Sequence, residues 1–273
     1  MRRAMNIVPG PGARVLLAML PFALLVFIYI LGSAERRAVN PDDKLLPPIS
    51  EMASTITRMA TEPDRRTGTL VLWADTGASL QRLGLGLGFA TLTGLVIGLA
   101  LGMLPLVRAG FAPLVAVLSM IPPMALLPIL FIVFGLGELS KVVLIVIGIA
   151  PFLVRDLAMS VGAIPIEQMV KAQTLGASTW QTVLRVALPQ AMPRLLEALR
   201  LSIGPAFLFL ISAEAIAAEN GLGYRIFLVR RYLAMDVIIP YVAWITLLAY
   251  VLDLALAKIA RGAFPWAYVG ERR

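Results

Sequence analysis

Long apolar runs alternate with short polar interruptions along this chain. Six of the runs are long enough to cross about 30 Å of hydrocarbon as helices, which takes about 20 residues each. They lie near Val15 to Gly32, Leu80 to Leu104, Phe111 to Phe134, Lys141 to Val161, Leu195 to Ala218 and Val237 to Ile259. The first follows Arg2, Arg3 and Arg14 in the manner of a signal peptide, but Ser33-Ala34-Glu35-Arg36-Arg37 makes a poor cleavage site, so a retained anchor is expected. A polar, mixed-charge stretch with Pro41, Pro47 and Pro48 separates the first run from the second, and a polar amphipathic stretch, Ile164 to Pro193, separates the fourth from the fifth. The pattern predicts an all-α polytopic membrane protein with six transmembrane helices. Its expected parts are an N-terminal segment over 1–14, a first helix over 15–32, an extramembrane segment over 33–76, a membrane core over 77–260 that includes a loop over 162–193, and a tail over 261–273.

Composition supports a lipid-facing chain. Of 273 residues, 59% are hydrophobic and 15% are charged, whereas about 25% are charged in soluble domains. A mean hydropathy of +0.87 means more apolar surface than one soluble core hides. Nine of the 22 Gly and eight of the 19 Pro sit inside the apolar runs, which suits membrane helices that approach closely and bend. The second run alone carries Gly84, Gly88, Gly94, Gly98 and Gly102. Cys and His are both absent, which excludes disulfides, thiolate or imidazole metal sites, Cys nucleophiles and His bases. No Gly-x-x-x-x-Gly-Lys-[Ser/Thr] stretch is present to cradle nucleotide phosphates. The acidic residues show no metal-ligand spacing. Neither a resident cofactor nor a metal is therefore expected. The net charge of +8 reads as marking cytoplasmic loops, with lipid and not nucleic acid as the partner.

An even number of spans puts both termini on one side. With the N-terminus inside, thirteen of the 24 Lys and Arg fall on the inner side, a slight preference by the count that governs insertion. Only five of the 16 Asp and Glu fall there, but acidic residues contribute little to orientation.

The stretch between the fourth and fifth runs carries the most specific pattern. It reads Ile166-Glu167-Gln168-Met169-Val170-Lys171-Ala172-Gln173-Thr174-Leu175-Gly176-Ala177-Ser178 and closes on Val186-Ala187-Leu188-Pro189. This resembles the loop shared by permeases of binding-protein-dependent ATP-binding-cassette importers: Glu-Ala-Ala, three residues, Gly, nine residues, Ile-x-Leu-Pro. Ala172 matches the third motif Ala and Gly176 the Gly, whereas Val170 and Lys171 stand where Glu and Ala are usual. Such a permease must receive force from a cytoplasmic ATPase through a rigid element. Here a short helix over about Ile166 to Leu175, capped at Gly176, would supply it. Leu188-Pro189 would end the second helical piece before the chain re-enters the membrane. The candidate ATPase-coupling residues are Glu167, Val170, Lys171, Ala172, Leu175, Gly176, Ala177, Ser178, Leu188 and Pro189.

The resemblance extends over roughly residues 45 to 268. Leu45-Leu46-Pro47-Pro48, Gly77-Ala78-Ser79-Leu80-Gln81-Arg82, Ile121-Pro122-Pro123-Met124-Ala125-Leu126-Leu127-Pro128, Phe134-Gly135-Leu136-Gly137-Glu138, Ala213-Glu214 and Gly221-Leu222-Gly223-Tyr224 are similar to permeases of the nitrate, sulfonate, taurine and bicarbonate branch. That branch implies the type I (MetI-like) importer fold. It has two permease chains around one pathway, a homodimer here, with two ATPases that bind ATP and Mg below and a periplasmic or lipid-anchored solute-binding protein above. It also implies an inner-membrane location with both termini and the Gly176 loop cytoplasmic, a periplasmic segment over 33–76, and a small anion as cargo.

Two features within the membrane stand out. Successive prolines at Pro122 and Pro123 remove backbone donors near mid-membrane, where irregular backbone persists only if buried in protein or lining a watery cavity. With Ser119, Met120 and Met124 beside them they form either a pathway gate or a simple kink. Glu214, near the end of the fifth run, is costly in hydrocarbon unless paired or wet. It reads as a cavity or outer-gate residue, or as a partner of Arg225 or Arg230. Arg155 with Asp156, and Asp253, read as structural pairs. Trp244, Tyr250, Trp266 and Tyr268 read as interfacial aromatics. A secondary transporter or channel would share the hydropathy but needs ion-coupling groups or a filter, and gives no reason for the Gly176 loop. A membrane enzyme needs carboxylate pairs, His or Cys that this chain lacks.

Overall fold

The structure, a computed structural model, describes residues 9–41, 43–65 and 67–272. Arg2, Arg3, Arg66 and Arg273, counted above in the charge distribution, lie outside the described residues. No strand occurs among those described, and helices follow one another from α1 (Pro11–Val39) onward. α1 extends beyond the expected first span and touches the rest mainly at its far end, where Tyr29 donates to the Pro47 carbonyl at 2.6 Å and Ser33 to the Leu46 carbonyl at 2.8 Å. The following turn is pinned by Asp43. Its carboxylate accepts from Arg36 and from the Leu45 N–H, and the Arg36 guanidinium holds it below the usual carboxylate range. The polar segment then folds into an amphipathic helix, α2 (Ile49–Thr61), against the start of α12, with Thr55 Oγ1 donating to Asp236 at 3.1 Å.

The core is the pair α3 (Val71–Met103) and α6 (Glu138–Gly162). α3 lacks side chains at the closest approach. A Cβ on Gly94 would stand 2.7 Å from Leu153 Cβ, one on Gly98 2.9 Å from Leu157 Cβ, and one on Gly102 2.6 Å from Val161 Cβ. Small residues thus let two membrane helices pack backbone to side chain, which replaces the hydrophobic driving force that lipid removes. Gly84 and Gly88 face open space instead. α3 begins at Val71, well before the expected Leu80, because Asp75, Thr76, Ser79 and Arg82, polar enough to suggest an extramembrane end, are buried inside the molecule.

The expected third span is two helices. α4 (Pro105–Leu118) stops at the Ser119–Pro122 break, and a 3-10 turn (Pro123–Leu126) leads into α5 (Leu127–Phe134) at 81° to α4. Missing proline donors account for the break, and the angle is far larger than a kink. The expected fifth span is also bent. α8 (Thr179–Thr182), a π-helical turn (Val183–Ala187) and α9 (Leu188–Leu201) run on continuously, then turn 46° into α10 (Ile203–Ala217). Leu188-Pro189 therefore does not terminate a helix, contrary to expectation. The π turn widens the backbone, with Leu188 N–H bonded to the Val183 carbonyl, and Pro189 is accommodated in the first turn of α9, where its missing donor costs nothing. α7 (Ile166–Thr174) precedes this piece, and α11 (Leu222–Val229) and α12 (Met235–Ala263) follow α10. Among the described residues, four helices are long and apolar enough to cross a membrane, or up to six if each bent pair is one span.

Candidate functional site

Three places gather the residues singled out in the sequence. The first is the loop between α6 and α9. Gly176 adopts φ 81°, a left-handed conformation that side chains disfavour. The chain reverses there through two bonds, Gly176 N–H to the Gln173 carbonyl at 2.9 Å and Ala177 N–H to the Ala172 carbonyl at 3.0 Å. These are the paired closing bonds of a Schellman cap, so Ala172 supplies the carbonyl that the reversal needs. Two residues on, Ser178 opens α8 with a reciprocal box: its Oγ accepts from Gln181 N–H at 3.2 Å, and Gln181 Oε1 accepts from Ser178 N–H at 2.9 Å. Gln190 Nε2 on α9 donates to Gln168 Oε1 on α7 at 2.9 Å, which ties the two arms together. Glu167, Val170, Lys171 and Leu175 are exposed on this stiff reversal, while Ala172 and Ala177 are half-buried against it. Leu188 and Pro189 lie half-buried at the base of the same unit. With Ile166 and Trp180, the exposed Val170 and Leu175 make an apolar tip uncovered by the rest of the chain.

The second place is a buried ion cluster at the Glu138 end of α6, and it corrects the pairing expected for Glu214. Glu214 is 0% exposed. Its partner is Arg82 on α3, at 2.7 Å, not Arg225 or Arg230. Ser79 Oγ donates to Glu214 at 2.7 Å and accepts from Leu222 N–H at 2.8 Å. Gly223 N–H donates to Glu214 at 2.8 Å. Arg82 also donates to Glu138, to the Asn220 carbonyl at 2.9 Å and to Asn220 Oδ1 at 2.6 Å, and Lys141 reaches Glu138 at 2.9 Å. Arg225 serves Asp75 instead, at 2.8 Å, with Tyr241 OH at 3.1 Å and Gly221 N–H at 3.0 Å on the same carboxylate. Gly221 has φ 120°, and a Cβ there would lie 2.6 Å from the Glu214 carboxyl carbon. The start of α11 thus turns unsatisfied N–H groups toward two carboxylates, a favourable end for negative charge. Beside it, the half-buried Trp244 donates from Nε1 to Thr76 Oγ1 at 2.9 Å and packs edge-on against the exposed Trp73. The segments Gly77–Arg82, Phe134–Glu138, Ala213–Glu214 and Gly221–Tyr224, read separately in the sequence, meet here.

The third place is the break in span three. Ser119 and Pro123 line a cavity of about 380 Å³ with Leu118 and Ile121, closed by Phe152 and Arg155 of α6 and Phe209 of α10. Met120, Pro122 and Met124 lie on the exposed side of the same break. Arg155 and Asp156 do not form a pair together: Asp156 accepts from Arg194 of α9 at 2.9 and 2.6 Å, and Arg155 donates to Ser119 Oγ at 2.7 Å. Asp253 is paired as expected, with Arg200 at 2.8 and 3.0 Å. Arg82, Asp75 and Arg155 were not singled out as site residues, since Asp75 fell outside the expected second span, Arg82 lay at its very start, and charge alone paired Arg155 with its neighbour.

Comparison with known proteins adds to this geometry. A family model described as "binding-protein-dependent transport system inner membrane component" matches residues 90–264. The taurine transport system permease protein TauC of Escherichia coli is 36% identical over 81% of this chain and 80% of its own. The nitrate import permease protein NrtB of Synechococcus elongatus is 30% identical over 76% of this chain and 75% of its own. Among solved structures, an inward-facing MetNI methionine ABC transporter chain superposes with a TM-score of 0.61 at 24% identity, over 70% of this chain and 95% of that one. At that identity the match speaks to the fold, which is of the MetI type.

Proposed function

This chain belongs to the family of binding-protein-dependent transport system inner membrane components, and from that premise we propose that two copies of it enclose one pathway for a small anion such as a sulfonate, taurine, nitrate or bicarbonate. It is the membrane-spanning permease subunit of an ATP-driven importer, a multi-pass inner-membrane protein and not an enzyme. Membership implies a separate ATPase and a solute-binding protein as partners. In our reading ATP and Mg bind on that ATPase, this chain holds no cofactor, and the binding protein selects the cargo.

The capped reversal at Gly176 carries the reading. A helix fixed by a Schellman cap, followed directly by a boxed second helix, is a rod that transmits displacement without fraying. Its exposed tip of Val170, Leu175 and Trp180 suits a cleft on the ATPase, a contact in which Glu167, Lys171, Ala177 and Ser178 form the rim. In this reading residues 162–193, both termini and the tail 261–273 lie in the cytoplasm, and residues 33–76 in the periplasm. Ser119, Met120, Pro122, Pro123 and Met124 form the gate at the broken span. Glu214 acts on the periplasmic side through the cluster that it anchors, not as a lining residue.

Reconstitution tests the assignment. The purified chain alone in proteoliposomes moves no solute, and uptake of taurine or nitrate requires the ATPase, the binding protein and ATP together. Uptake by the isolated chain under an ion gradient would reassign it to secondary transport.

A further inference from the structure

Arg155 is an exposed cation on α6 with no carboxylate partner among the described residues. It stands seven residues before the Gly162 end of α6, about 10 Å along the axis at 1.5 Å per residue. That position falls within the expected fourth span, Lys141 to Val161, and a charge inside a span is expensive and marks function unless it is paired or faces water. The neighbouring carboxylate does not neutralise it, because both oxygens of Asp156 are taken by Arg194. The one hydrogen bond that Arg155 makes runs from Nη1 to Ser119 Oγ at 2.7 Å. Ser119 gives its own proton to the Ala116 carbonyl at 2.8 Å, so its oxygen can only accept. A guanidinium has five N–H donors in a planar fork, and the remaining donors of Arg155 have no acceptor among the described residues. They belong to the cavity of about 380 Å³ that the break in span three leaves beside α6, whose other lining is mainly apolar, with Ile121, Phe152 and Phe209 in it, and includes one other charged side chain, Asp156, which Arg194 already engages through both oxygens.

A positive fork with open donors, in a mainly apolar cavity of small-molecule size whose one carboxylate is already paired with Arg194, suits a compact anion with two or more oxygens. We propose that Arg155, held by Ser119, is the anion-binding residue of the translocation pathway and takes the head group of a small monovalent oxyanion, a sulfonate or nitrate. The proposal rests on the anion-import reading above and deepens it by naming the residue that recognises charge. Two parallel N–H to oxygen bonds would orient the head group, and the apolar wall would receive a short organic tail. Ser119 belongs to the broken segment, so a movement of the break carries the guanidinium with it and couples the gate to release.

The chain contains no Cys, so Met159→Cys, on the same cavity wall one turn beyond Arg155, is a single reporter. In the full chain in lipid nanodiscs, its reaction rates with anionic sulfonatoethyl and cationic trimethylammonioethyl methanethiosulfonate are compared. With Arg155 present the anionic reagent is favoured, and Arg155→Gln lowers the anion-to-cation rate ratio about tenfold or more, as expected for loss of a nearby charge in a partly dry cavity. Added ethanesulfonate slows labelling of the parent and not of Arg155→Gln. Arg155→Lys, which keeps the charge and loses the fork, retains the ratio and loses most of the ethanesulfonate effect. An unchanged ratio in Arg155→Gln, equal slowing in Arg155→Lys and the parent, or no labelling of the reporter by any reagent would each overturn the proposal. Any of those results leaves the anion-import reading standing, since uptake through the unsubstituted importer tests that separately.

Discussion

Glu214 illustrates how a carboxylate survives inside a membrane protein: every oxygen has a donor, and only one donor is a full charge. Arg82 supplies that charge, Ser79 and the Gly223 N–H the rest. The attraction of a buried pair is largely offset by its desolvation, so the pair contributes little against an apolar replacement, whereas removing one partner leaves an uncompensated charge. Arg82→Met is therefore expected to destabilise the chain by about 3–5 kcal/mol, the usual cost of breaking a buried pair, read as a lowered unfolding temperature in detergent. Arg82→Met combined with Glu214→Leu should recover a large part of that loss. If the double variant is as unstable as the single one, the hydrogen bonds to Ser79 and the α11 terminus, not the charge pair, dominate the site. This pairing was not legible in the sequence. Arg82 and Glu214 are 132 positions apart, and no periodicity links them, so proximity along the chain pointed to Arg225 and Arg230 instead. Asp75 was left outside the expected second span for a related reason: a polar residue counts against a membrane span until its partner is known.

What could be read from the sequence was local backbone chemistry. Gly176 and the double proline at Pro122 act through φ and missing donors, which depend on nothing distant, and both produce the reversal and the break that their residue types predict. Pro189 was misjudged because a π turn, which has no sequence signature of its own, lets a helix pass through a proline. For the loop between α6 and α9, the capped geometry yields a sharp expectation. Gly176 has φ 81° with nothing within 4 Å of a built Cβ, so a side chain there is disfavoured by backbone strain of about 1 kcal/mol, not by crowding. Gly176→Arg should leave the chain inserted and folded, because that strain is small against the stability of the helical core. It should nevertheless abolish ATPase association or substrate-stimulated hydrolysis in the reconstituted importer, since a long cation is placed at the tip that enters the ATPase. Thr179→Ala, on the exposed start of α8, should be tolerated in both assays. Normal assembly and transport by Gly176→Arg would return this unit to an ordinary interfacial helix pair.

The three sites occupy different parts of one frame. The ion cluster clamps one end of α3, α6, α10, α11 and α12, and the glycine seam from Gly94 to Gly102 continues the α3–α6 contact toward the other end. The α3–α6 unit is thus fixed along most of its length, and displacement delivered by the α7–α8 reversal must be absorbed where helices are already interrupted. Two such places exist beside the fixed unit: the 81° break of span three, and the 46° bend between α9 and α10. The break is the better hinge, since beyond Ser119 the four-residue helical bonds give way to three-residue bonds from Met120 and Ile121 and then to two prolines without donors, and since it borders the cavity, while the bend is held by the Ser202 N–H and hydroxyl, both on the Ala198 carbonyl. Single cysteines at Met120 and Met124, which are 75% and 39% exposed at the break, should therefore react with small aqueous thiol reagents at rates that change when the assembled importer passes from its nucleotide-free to its ATP-bound state. Leu144→Cys, buried at 0% exposure in the α3–α6 unit, should stay unreactive in both. A change at the break with none in the block would locate the moving part at Ser119–Pro122. Labelling at Met120 and Met124 that is absent in every nucleotide state would mean that the break faces lipid or protein throughout, and that the pathway runs elsewhere.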